Sequence, residues 1–73
     1  MADGPAARFR IGNITATIWK NQTNGGNTFY SVNIARSYKD DDEWKQTDSF
    51  SHGDLMNVVK VASRAEAWVA EQA

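Results

Sequence analysis

The 73-residue chain has no cysteine and a single histidine, His52. Without thiols there is no disulfide framework, no thiolate zinc site and no cysteine nucleophile. One imidazole supplies neither a histidine pair for a metal nor a relay for protons. No run approaches the ~18 apolar residues of a membrane-spanning helix. Met1–Arg10 also lacks the apolar stretch of a signal peptide, so a cytoplasmic protein that does not enter a membrane is expected. A chain this short buries only roughly 60% of its unfolded surface and has room for one domain.

Charge is present but unevenly placed. The totals, 8 basic and 9 acidic residues, suggest indifference to polyanions. By position they do not. Between Gly4 and Lys39 stand Arg8, Arg10, Lys20, Arg36 and Lys39 with no acid among them. Apart from Asp3, the acids begin at Asp40 and continue through Asp41, Asp42 and Glu43 to Asp48, Asp54, Glu66 and Glu71. An acid-free basic half can present a positive face although the sum is near zero.

Met1–Ala7 reads as a disordered leader of small residues, and a single α+β domain is expected from Arg8 to Ala73. Phe9 and Ile11 alternate with Arg8 and Arg10, and the apolar phase then moves to Ile14, Ala16 and Ile18. A parity switch at Gly12-Asn13 reads as a β-bulge inside one strand that continues to about Lys20. Asn24-Gly25-Gly26 supplies the positive-φ residues of a hairpin turn. A second strand follows from Thr28 to about Lys39, and after the turn Asp40–Glu43 a third runs from Trp44 to Phe50.

From Ser51 the period changes. Ser51-His52-Gly53-Asp54 fits a capping box. Leu55, Val58, Val59, Ala62, Ala65 and Val69 recur at helical spacing, with Val61 and Trp68 at the stripe's border. The expected fold is therefore α+β: an antiparallel meander of three strands, or four if Gly12 splits the first, followed by one long helix across one face. Burying ~15 apolar side chains at ~25 cal/mol per Å2 barely offsets chain entropy at this length. The sheet also leaves two edges open, and both points predict a homodimer.

Strand alternation assigns the face away from the helix. Thr15, Thr17, Trp19 and Asn21 share it with Phe29, Ser31, Asn33 and Ala35. With Phe50 inward, Lys45, Thr47 and Ser49 also face out, and Trp44 lies inward at the rim. Trp19 and Phe29 on an otherwise polar face suit stacking of unpaired bases, while Lys and Arg neutralise phosphates. The competing reading is a cross-strand aromatic pair or a dimer contact.

Other motifs lead to local structure. Ser51, His52 and Asp48 or Asp54 have the residue types of a hydrolytic triad, but capping accounts for Ser51 and Asp54. Asp40–Glu43 lacks the alternation and glycine of a calcium loop. No cofactor or metal and no enzymatic activity are expected. The two sequons, Asn13-Ile14-Thr15 and Asn21-Gln22-Thr23, read as chance matches.

The stretch Phe9-Arg10-Ile11-Gly12-Asn13-Ile14-Thr15-Ala16-Thr17-Ile18-Trp19-Lys20-Asn21, with Phe29-Tyr30-Ser31-Val32, Arg36-Ser37-Tyr38-Lys39-Asp40 and Trp44-Lys45-Gln46-Thr47-Asp48-Ser49-Phe50, resembles a set of short bacterial and phage-associated proteins of no assigned activity. More distantly, a curved sheet followed by one long helix is similar to the single-stranded-DNA-binding domains of the positive-cofactor-four and Whirly type. Those domains have four strands. That resemblance implies dimers that bind unpaired strands on sheet surfaces. The leading expectation is thus a non-enzymatic single-strand-binding module, with Arg8, Arg10, Lys20, Arg36 and Lys45 on phosphates and Trp19, Phe29 and Trp44 on bases. The alternative is a protein-interaction or structural module that uses the same face or an edge strand.

Overall fold

The computed structural model describes residues 4–72. Four strands, β1 (Ala7–Ile11), β2 (Ile14–Gln22), β3 (Thr28–Asp40) and β4 (Glu43–Thr47), precede a 3-10 turn at His52–Asp54 and the helix α1 (Leu55–Gln72). The strands form one antiparallel sheet in the order β1-β2-β3-β4. The α+β meander with a C-terminal helix is as the sequence predicts, with the fourth strand resolved from the first. Among the described residues no helix is long and apolar enough to cross a membrane.

Gly12-Asn13 makes a hairpin turn where a bulge was expected. Ile11 stands directly opposite Ile14, so the two intervening residues reverse the chain. Gly12 has φ +59°, and a positive φ at the first central position is the II′ pattern that matches strand twist. Both devices switch apolar parity after a glycine, but only the hairpin places Phe9 against Ala16 and Ile11 against Ile14 on one face.

The leader expected over Met1–Ala7 falls partly outside the described residues. Within them, Ala7 opens β1 and the Ala6 amide donates to the Ile18 carbonyl at 2.7 Å. The acidic turn is tighter than the four residues expected: Asp40 pairs with Glu43, leaving Asp41-Asp42 as the loop. Asp41 has φ 56°, a conformation that Asp tolerates better than most residues. At the other end of β4 pairing stops at Thr47, short of the expected Phe50. The Thr47 hydroxyl takes the Ser49 amide at 3.1 Å, which turns the chain off the sheet toward α1.

The core is small. Ile14, Ala16 and Ile18 of β2 are buried against Val61 and Ala65 of α1, with Phe9, Ile11, Ile34, Val58, Trp68 and Val69 packed around them. The helix is therefore rotated from the stripe read in sequence: Val61, placed at its border, is fully buried, while Leu55 and Val59 are exposed. The cause is β1. Its inward Phe9 and Ile11 widen the apolar floor on that side of β2, so α1 lies over β1 and β2 and only touches β3.

Gly12→Ala tests the hairpin. A methyl there meets only Asn57 Nδ2, at an ordinary 3.4 Å, so the penalty is backbone strain and no clash. A non-glycine residue forced to positive φ loses ~1–2 kcal/mol, which lowers Tm by roughly 5–15 °C in a domain of this size. Thermal melts by circular dichroism should show that drop, and a smaller one for Gly12→Asn; an unchanged Tm would refute the assignment.

Candidate nucleic-acid interface

Directly paired residues in a sheet share a face, so the register sorts every strand residue. The side away from α1 carries Arg8 and Arg10 of β1, Thr15, Thr17, Trp19 and Asn21 of β2, and Phe29, Ser31, Asn33, Ala35, Ser37 and Lys39 of β3, with Trp44 and Gln46 of β4. Its centre is a shallow trough of about 380 Å3 floored by Thr15, Thr17, Asn33, Ala35 and Ser37 and bordered by Arg8, Arg10, Trp19 and Gln46. The floor residues are small and, Ala35 apart, polar, and they leave room for a ligand to approach the backbone. Arg10 is steadied by a bond from Nε to the Gly12 carbonyl at 2.9 Å, which keeps its terminal guanidinium nitrogens free of that contact.

The aromatics stand at opposite ends of this face. Trp19 lies opposite Ser31 and Trp44 opposite Lys39, so along β3 they are eight residue steps apart, from 31 to 39. At ~3.3 Å per residue that is about 26 Å along the strands. Trp19 is 38% and Trp44 66% exposed, and Phe29 is half-exposed. Trp19 and Phe29 do not stack on one another: among the described residues the aromatic pair is Tyr30 with Trp68, edge to face at 5.6 Å on the helix side. Asn21 instead bridges to the Ser31 hydroxyl at 3.0 Å across the square whose other corners are Trp19 and Phe29.

Of the eight residues expected at the interface, Arg8, Arg10, Trp19, Phe29 and Trp44 share this face, and three leave it. Lys20 pairs with Tyr30 on the helix side. Lys45 pairs with Tyr38 on that side too and binds Asp40 at 3.1 Å. The expected parity of the last strand is thus reversed: Trp44 and Gln46 face out, and Lys45 and Thr47 face the helix side. Parity anchored on Phe50 fails because β4 ends at Thr47 and the chain turns before Phe50.

Arg36, the third, is a clamp. Its Nε donates to the Ser49 carbonyl at 3.1 Å and lies 3.4 Å from Asp54 Oδ2. The same carboxylate oxygen accepts from the Ser51 hydroxyl at 2.8 Å and the Ser51 amide at 3.1 Å. Arg36 so ties β3 to the start of α1 and is committed to the fold. Lys39, part of the acid-free basic segment but not among the expected phosphate contacts, shares parity with Phe29 and Asn33 and stands opposite Trp44.

Sorting by face also separates the charges. The only carboxylates within the four strands, Asp40 and Glu43, pair with each other on the helix side. The open face therefore holds Arg8, Arg10 and Lys39 and no strand carboxylate. Among the described residues no cluster of carboxylates and His52 is arranged to hold a metal ion. Comparison with protein-family models, with curated proteins and with solved structures finds no match for this chain.

The clamp carries a pH signature. Hydrogen bonds from the Ser51 hydroxyl and amide, helped by the Arg36 charge, hold Asp54 below its ordinary value of 3.8. A carboxylate depressed on folding stabilises above its unfolded value and loses that contribution as pH falls through the folded one. Asp54→Asn should therefore melt below the native protein at pH 7, with the gap closing progressively as pH drops below ~4. A gap that persists at pH 2 would assign the loss to something other than this charge.

Proposed function

We propose that this chain is a non-enzymatic nucleic-acid-binding module that holds single-stranded DNA on the open face of its sheet. The observation that carries this reading is the segregation across the sheet: Arg8, Arg10 and Lys39 with Trp19, Phe29 and Trp44 on one face, and the strand carboxylates on the other. A single strand needs both components. Cations along its track neutralise phosphates, and exposed rings take unpaired bases at roughly 1–3 kcal/mol each, whichever base is present. A duplex hides its bases and gains nothing from the rings.

The dimensions fit such a ligand. About 26 Å along the strands, plus the step from β2 to β4, separates Trp19 from Trp44; a stacked strand rising ~3.4 Å per nucleotide covers this in about eight nucleotides. Along the strand direction Arg8 and Arg10 fall between the two aromatic ends, on the β1 edge, where they flank the track and can reach its phosphates. The resemblance to the positive-cofactor-four and Whirly-type domains rests on element order alone, four strands followed by one helix. The positive charge is thinner than the sequence suggests, since Lys20, Arg36 and Lys45 are on the helix side. Binding by three cations is correspondingly modest.

Titration of oligo(dT) against tryptophan fluorescence tests the reading. Quenching is expected at low salt, saturating for oligonucleotides of about eight nucleotides or more, with a salt slope near −2 for three phosphate contacts. Trp19→Ala should weaken binding roughly 5- to 150-fold, and Arg10→Ala should reduce the slope by about 0.7. Lys20→Ala should leave both nearly unchanged. No quenching at low salt, or equal affinity in Trp19→Ala, would overturn the proposal.

A further inference from the structure

The helix side of the sheet is only half covered. Because α1 lies over β1 and β2, the inward residues of β3 border an open, mainly apolar groove of about 470 Å3, lined on one wall by Tyr30, Val32 and Ile34 and on the other by Ala62, Val69 and Ala70 of the helix, with the charged Glu66 on that same wall. Val32 is 42% exposed in it, and the same flank of the helix continues into Leu55 and Val59, at 47% and 57%. Apolar surface of this extent, interrupted on the helix wall by Glu66, marks an interface.

We infer that the groove is filled by a second copy of this chain, in a two-fold dimer. Three observations select that occupant. The first is area: a folded monomer of 8.1 kDa exposes about 4,500 Å2, whereas this chain exposes 5459 Å2. The difference is of the order of the ~800 Å2 that each partner buries in a standard interface. The second is extent. The Cα radius of gyration is 14.0 Å, against about 11 Å for a self-sufficient domain of this length, as befits half of a larger core.

The third is shape. A two-fold interface must be self-complementary, with one patch carrying both the protruding and the receiving element. Here the ridge formed by Leu55 and Val59 runs beside the groove on the same face, so a two-fold rotation lowers each ridge onto the other copy's bare β3. Ala62, small and central, lets the two helices approach closely. The nucleic-acid face lies on the opposite side of each sheet, and the dimer leaves both copies of it open. The inference does not depend on nucleic-acid binding.

Light scattering coupled to gel filtration, on the full chain at micromolar concentration, tests it. The native protein should run at twice its chain mass. Val59→Glu should halve that mass while keeping its circular-dichroism spectrum, because Val59 supports little of the monomer's own core. Trp44→Glu, an equally exposed position on the open face, should remain dimeric. If Val59→Glu does not fold, Leu55→Lys gives the same reading at the end of the ridge. A monomeric native protein, a dimeric groove variant that is folded, or a monomeric Trp44→Glu would each overturn the proposal, the last by moving the contact to the open face.

Discussion

The period-two alternation of β2 and β3 is the constraint on which this molecule rests. Ile14, Ala16 and Ile18 must go under the helix, and once they do, every paired residue is assigned a side. The same alternation that buries three aliphatic side chains puts Thr15, Thr17 and Trp19 into solvent. A one-residue slip would drive Trp19 toward the core and the isoleucines out. The hydrophobic term that stabilises the fold thus also fixes which aromatics remain available to a ligand.

Around that central pair the two outer strands have different duties. β1 adds Phe9 and Ile11 to the core and sends Arg8 and Arg10 to the open face, which draws the helix to its own side. β4 contributes nothing to the buried cluster. It is held by its ladder with β3, and the chain that leaves it is tied back to β3 where Arg36 meets Ser49 and Asp54. An off-centre helix and a peripheral fourth strand are two consequences of one placement, and the bare inner surface of β3 is the third.

Much of this is legible in the sequence, because β2 and β3 alternate cleanly and the capping pattern at Ser51 marks the change of period. What is not legible depends on long-range geometry. Gly12 with a parity switch describes a bulge and a two-residue hairpin equally well, and only chain reversal distinguishes them. The exposure of Trp44 was hidden because β4 is short and its parity was anchored on Phe50, beyond its end. The rotation of α1 was missed since Leu55, Val58, Val59 and Val61 are all apolar, and the floor supplied by Phe9 and Ile11 decides which of them go under. Arg36 read as a free cation because its partners, Ser49 and Asp54, are far along the chain.

The central proposal is that the two faces of the sheet do different work: one would meet a single strand, while the other builds the core. Two-dimensional NMR of the labelled protein, titrated with an eight-nucleotide oligo(dT), tests it most directly. The indole resonances of Trp19 and Trp44 and the amides around Arg8, Arg10 and Lys39 should move together, while Trp68, Val32 and Val59 stay in place. Shifts confined to the helix side, or no shifts at low salt, would contradict the account.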